Sequence, residues 1–200
     1  MKTDIILAGV GGQGILSIAT ILATAALAEN LHVKQAEVHG MSQRGGDVHS
    51  MLRLSSDPIA SDLLRRGTAD LIISLEPMEA LRYVSYLAPE GWMVTNTVPF
   101  VNITNYPEME TVMADMERHT NVVAFDVDAM AKEAASPRSS NMVLLGAASP
   151  FIELGADAIE KAIATVFGPK GRGHRRHEHQ GVPRRPRARP EELVEVSDNP

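Results

Sequence analysis

Residues 9–14 read Gly9-Val10-Gly11-Gly12-Gln13-Gly14, and this run limits the fold more than any other feature of the chain. It follows an aliphatic stretch of strand length, Thr3–Ala8, and leads into a stretch with helical apolar spacing, Gln13–Glu29. Glycines spaced G-x-G-x-x-G between a strand and a helix make the tight turn that opens a βαβ unit. The unpaired N–H groups of the first helical turn then face the turn and suit an anion. Ile15, Leu16, Ile18, Ile21, Leu22, Ala25 and Leu27 cover most of the helix circumference, so the helix is expected to be well buried.

The pattern continues with strands expected at His32–Val38, Val48–Leu54, Asp70–Leu75, Trp92–Thr97 and Val122–Asp126. Val101–Thr104 alternates and reads as a short extra strand. Helices are expected at Glu76–Tyr86, Glu108–Arg118, Val127–Ala134, Ser140–Ala148 and Ala156–Val166, with Pro77 suited to a first turn. Alternating strands and helices give an α/β, Rossmann-like three-layer sandwich with a mostly parallel sheet and an irregular loop after the second strand. One domain is expected over residues 1–168. With 4% aromatic residues its core must be aliphatic.

Composition removes several function classes. The 200 residues contain no cysteine, so they offer no disulfide, no thiolate zinc site, no nucleophilic thiol and no cysteine ligation of an iron–sulfur cluster. A reducing, cytoplasmic location is expected. No run of about 18 apolar residues suggests a membrane helix, and the N-terminus does not read as a signal peptide. Residues 1–168 hold 11 Lys+Arg against 20 Asp+Glu, and this acidic body argues against a nucleic-acid surface.

The glycine run alone leaves NAD(P) or FAD open, since Glu37 ends the second strand where a dinucleotide fold places its ribose-binding acid. The following segment argues against that reading. The roughly nine residues of His39–Asp47 are too few for a helical crossover, which needs about a dozen or more, so the third strand is expected to be antiparallel or locally rearranged. That loop, His39-Gly40-Met41-Ser42-Gln43-Arg44-Gly45-Gly46, is itself distinctive. Arg44 between glycines could fork onto a phosphate or carboxylate. His39 and His49 have no cysteine or carboxylate pair near them in sequence and read as satisfied structural histidines rather than metal ligands. No nucleophile elbow, zinc-protease motif or P-loop lysine is present, so no catalytic residue is expected. Ser74-Leu75-Glu76 and Asn96 lie at strand carboxyl ends and read as caps or turn residues.

Three segments carry a resemblance: Ala8-Gly9-Val10-Gly11-Gly12-Gln13-Gly14-Ile15, Glu37-Val38-His39-Gly40-Met41-Ser42-Gln43-Arg44-Gly45-Gly46 and Ser74-Leu75-Glu76-Pro77-Met78-Glu79-Ala80-Leu81-Arg82-Tyr83. In order and spacing they resemble the gamma-type subunits of 2-oxoacid:ferredoxin oxidoreductases, nearest the indolepyruvate branch. The resemblance implies a subunit, inactive alone, of a complex that oxidatively decarboxylates an arylpyruvate to an acyl-CoA and passes electrons to ferredoxin. It implies that thiamine diphosphate and the iron–sulfur clusters belong to a large partner subunit, and that this chain helps cradle coenzyme A. The candidate ligand-binding set is Gly9, Gly11, Gly12, Gln13, Gly14, Glu37, His39, Ser42, Gln43, Arg44, Gly45 and Gly46. A purely structural role for the glycine loops is the competing expectation.

Residues 169–200 depart from the rest, with 8 Lys+Arg, 5 Asp+Glu and almost no apolar periodicity, and read as a basic, disordered tail. The resembled family closes with a helix that includes an Asn and an Ala-Phe pair, whereas this chain has Arg176-His177-Glu178-His179-Gln180-Gly181-Val182-Pro183. A one-base shift of permissible codons for that stretch encodes Asp-Met-Asn-Ile-Lys-Ala-Phe, which makes the tail a candidate frameshift product.

Overall fold

The computed structural model describes residues 1–40, 45–101, 103–134, 136 and 139–168. The strands are β1 (Lys2–Val10), β2 (His32–His39), β3 (Asp47–Ser55), β4 (Ala69–Ser74), β5 (Leu87–Asn96) and β6 (Val122–Phe125). The helices are α1 (Ile15–Ala28), α2 (Pro77–Arg82), α3 (Met109–Met116), α4 (Val127–Ala134), α5 (Ser140–Ala148) and α6 (Ala156–Phe167), with single 3-10 turns at Val84–Tyr86 and Ser149–Phe151.

The sheet has six strands in the order β2-β3-β1-β4-β5-β6. β1, β4, β5 and β6 pair parallel, while β3 runs antiparallel to both β1 and β2. The short loop expected to forbid a crossover does so: the chain turns back and β3 slots between β2 and β1, with Val10 opposite Asp47 and Lys2 opposite Ser55.

Period-two alternation distributes the core over both faces. Ile5 and Leu7 of β1 pack with α1, α4, α5 and α6, whereas Ile6 and Ala8 pack with α2 and α3. β1 is thus buried from Thr3 to Val10, as a strand covered on two faces must be. The edge strand β2 is mostly exposed or half-exposed. α1 ends in a Schellman motif: Asn30 takes the left-handed position at φ 59°, Asn30 N–H donates to the Leu27 carbonyl at 3.1 Å, and Leu31 N–H donates to Ala26 at 3.0 Å.

At the amino-terminal end of β1, Asp4 is almost fully buried and lies opposite Arg53 in register. The Arg53 guanidinium grips it through Nε at 2.8 Å and Nη2 at 3.1 Å, while Nη1 donates to the carbonyls of Ser61 and Leu63 at 3.1 and 3.4 Å. One side chain therefore pins the long connection between β3 and β4. Residues 101, 103 and 104 are not in a strand, which corrects the extra strand expected at Val101–Thr104. The loop there is held from α2 instead of pairing with the sheet, as set out below.

Candidate functional site

The carboxyl ends of β1, β4, β5 and β6 meet the start of β3 and the end of β2 at one edge of the sheet. Both glycine-rich loops lie there and are hydrogen-bonded to each other. Gly11 N–H donates to the Gly46 carbonyl at 2.8 Å, and Gly45 N–H donates to the Gly11 carbonyl at 3.3 Å. Gly40 N–H closes the base of the second loop on the Asp47 carbonyl at 2.9 Å. Segments more than 30 residues apart in sequence thus form one backbone surface.

The first loop is braced from inside. Val10 N–H donates to Gln13 Oε1 at 2.7 Å, and Gln13 Nε2 donates to the Leu75 carbonyl at 3.1 Å. Both ends of the Gln13 amide are thus hydrogen-bonded to the chain's own backbone. Gly14, with φ 83°, is the N-cap of α1, so the helix begins two residues later than its apolar spacing suggests. A side chain there would be strained, and its Cβ would lie 2.9 Å from Asn141 Nδ2 at the start of α5. Asn141 in turn donates to the Gly14 carbonyl at 3.4 Å. Gly12, with φ 104°, has open space where a Cβ would be. The N-cap Gly14 gives α1 no side-chain hydrogen bond, so the helix opens at this edge with main-chain N–H groups at its start.

Neighbouring connections are fixed by caps, as expected for them. Ser74 Oγ donates to the Glu76 carbonyl at 2.6 Å, and the buried Glu76 carboxylate accepts from Glu79 N–H at 2.7 Å to cap α2. Glu76 also accepts from Phe100 N–H at 3.3 Å and from the Tyr106 hydroxyl, holding the loop after β5. Burial and this carboxylate push the Tyr106 pKa up. Asn96 ties three strand ends together: its Nδ2 donates to the Leu75 carbonyl at 3.4 Å and to Asp128 at 3.1 Å, and its Oδ1 accepts from Val98 and Val127 N–H at 3.2 and 3.1 Å.

Not every expected site residue joins the loops. Glu37 and His39 lie on β2, with side chains 37% and 55% exposed, and approach each other at 3.6 Å. Because β3 intervenes, β2 is two strand spacings from β1, about 10 Å. That displaces Glu37 from the place where a dinucleotide fold needs its acid, which weighs against NAD(P) or FAD. Ser42, Gln43 and Arg44 lie outside the described residues. His49, read in sequence as a satisfied histidine, is mostly buried and has Tyr83 and Asp47 as partners. Burial lowers its pKa, and Asp47 opposes that. Among the described residues no group of three or more His, Cys, Asp or Glu is arranged to hold a metal ion, and no helix is long and apolar enough to cross a membrane. Asn141 and Tyr83 were not singled out from the sequence as site residues. An Asn in the opening turn of an expected helix was the available signal for Asn141, and Tyr83 carried none beyond its place in a resembled segment.

The fold is that of the gamma subunits of 2-oxoacid:ferredoxin oxidoreductases. The gamma subunit of a keto/oxoacid ferredoxin oxidoreductase from Geobacter sulfurreducens superposes with a TM-score of 0.62 at 22% identity, over 90% of this chain and 96% of that one. The 2-oxoglutarate:ferredoxin oxidoreductase from Magnetococcus marinus, solved with 2-oxoglutarate, coenzyme A and succinyl-CoA, gives a TM-score of 0.72 at 22% identity, over 90% of this chain and 30% of that one. The chain belongs to the pyruvate ferredoxin/flavodoxin oxidoreductase family, whose model matches residues 4–175. Among its relatives, the indolepyruvate oxidoreductase subunit IorB of Pyrococcus horikoshii is 38% identical over 84% of this chain and 87% of its own length. The corresponding subunit of Archaeoglobus fulgidus is 33% identical over 85% and 88%.

Proposed function

We propose that this chain is the small subunit of a cytoplasmic complex that oxidises an arylpyruvate to carbon dioxide and an acyl-CoA, and that its joined glycine loops hold an anionic part of coenzyme A. The observation that carries this reading is the bond from Gly11 to Gly46 beside the uncapped start of α1. It sets a side-chain-free backbone surface against helix N–H groups, which favours a phosphate. Gly11, Gly12 and Gly14 supply this surface from one loop and Gly45 and Gly46 from the other, while Gly9 is buried in β1 behind them. Arg44, between them in sequence, would add a guanidinium. Gln13 acts here as a brace. The chemistry is assigned to a large partner carrying thiamine diphosphate and iron–sulfur clusters, with ferredoxin as the electron acceptor; this chain, which has no cysteine, supplies no thiolate to such a cluster. The similarity to two indolepyruvate subunits supports an aromatic 2-oxoacid.

The test begins with affinity capture of the tagged chain from its native lysate. The reading expects a large, cysteine-rich, thiamine-diphosphate-binding subunit. In that complex, Arg44→Ala should raise the KM for coenzyme A about tenfold or more, the size of a lost charge-assisted contact. An unchanged KM for coenzyme A would mean that the loops only pack against the partner. Residues 169–200 are proposed as a separate tail in an altered reading frame. The family match ends at residue 175, next to the departure at Arg176. Resequencing the gene and finding no shift would remove that idea.

A further inference from the structure

The structure assigns Tyr83 as a positioning residue that aims the second glycine loop at the first, through a hydrogen-bonded relay from His49 to Asp47. Tyr83 caps the carboxyl end of α2 and is 7% exposed. Its hydroxyl lies 2.6 Å from His49 Nδ1 and donates to Asp47 Oδ2 at 3.1 Å. A phenol has one hydrogen. Both contacts are satisfied only if His49 carries its proton on Nδ1 and donates to Tyr83, which donates onward to Asp47. The His49 ring lies 4.6 Å from the Tyr83 ring and keeps the hydroxyl in line.

Asp47 is where the loop re-enters the sheet. Its carbonyl receives Gly40 N–H, and the preceding carbonyl, Gly46, receives Gly11 N–H. Fixing the Asp47 carboxylate therefore fixes the Gly46–Asp47 peptide, and that peptide sets the angle between the two loops. Within α2 itself, Arg82 grips the buried Glu79 one turn back at 2.8 and 3.1 Å. Tyr83, His49 and Asp47 serve the glycine surface as positioning groups and not as its ligands. They act on it through the backbone.

This inference rests on the coenzyme A reading, and the test separates the two. The assembled complex is assayed at saturating 2-oxoacid with coenzyme A varied, then the reverse. Tyr83→Phe keeps the ring and removes the relay. It should raise the KM for coenzyme A about tenfold, the size of one lost hydrogen bond to a charged acceptor, and leave the KM for the 2-oxoacid unchanged. His49→Leu should do the same. His49→Asn places an amide N–H near the position of Nδ1 and should restore most of the wild-type value. An unchanged KM for coenzyme A in Tyr83→Phe, with or without a lower melting temperature, overturns the inference. So does an equal rise in both KM values, which would reflect general loosening. If Arg44→Ala raises the KM for coenzyme A and Tyr83→Phe does not, only the relay fails. If neither does, the coenzyme A reading fails with it.

Discussion

Replacing Gln13 by Leu keeps its bulk and removes both ends of the internal brace. The buried Val10 N–H, which now donates to Gln13 at 2.7 Å, would be orphaned, at a cost of about 1–3 kcal/mol. The Leu75 carbonyl keeps the longer bond from Asn96 at 3.4 Å, so its loss adds about 0.5–1 kcal/mol. Together the change should destabilise by about 1.5–4 kcal/mol, a fall in melting temperature of about 3–16 °C for a chain of this size. Gln13→Glu sharpens the test. Its carboxylate still accepts from Val10 but meets the Leu75 carbonyl with a second oxygen in place of a donor. Protonation restores an O–H, so the deficit of Gln13→Glu relative to wild type should shrink as pH falls, while that of Gln13→Leu stays constant. Thermal melts of the purified protein at several pH values measure both. A Gln13→Leu protein with unchanged stability and weakened coenzyme A binding would refute the brace and return the amide to the ligand.

Three further outcomes are expected. Gly14→Ala should cost about 2–3 kcal/mol in denaturant unfolding, combining the left-handed backbone penalty with a Cβ 2.9 Å from Asn141 Nδ2. Arg53→Met should leave the buried Asp4 carboxylate with only the exposed Lys2 as cation, costing about 3 kcal/mol, and should speed proteolytic cleavage in the connection that holds Ser61 and Leu63. Burial holds His49 below its ordinary pKa of 6.5, so its neutral ring contributes stability above about pH 6.5 that is lost as pH falls through its folded value. His49→Asn should therefore lose less melting temperature than wild type between pH 7 and acid; equal losses would show that His49 is already free to charge.

Element type was legible wherever a long apolar period met a clear punctuation mark. β1 and α1 were set by the glycine turn, and α4 and α5 match their expected spans. Even the reversal of β3 followed from the length of one loop. Boundaries moved where a single residue decided the backbone: Gly14 delays α1, and β5 begins at Leu87 because that residue pairs with Ala69 across an irregular register. Val101–Thr104 alternates like a strand, yet two tethers from Glu76, to Phe100 N–H and the Tyr106 hydroxyl, hold its loop beside α2. The glycines of the site were legible because their spacing is a backbone requirement. The inward turn of Gln13 and the relay through Tyr83 were not, because each depends on a partner more than 30 residues away.

Among the described residues, the hydrogen bonds that join the two loops are main-chain bonds. Exchanging side chains on either loop therefore leaves the joint's donors and acceptors in place, and pairwise covariation between the loops has little to register. Changes in the peptide itself test the joint directly: Gly11→Pro, which deletes the donating N–H, or an ester at that bond. In hydrogen exchange the Gly11 amide should be slow although it lies in a surface turn, and its opening rate reports how often the two loops part.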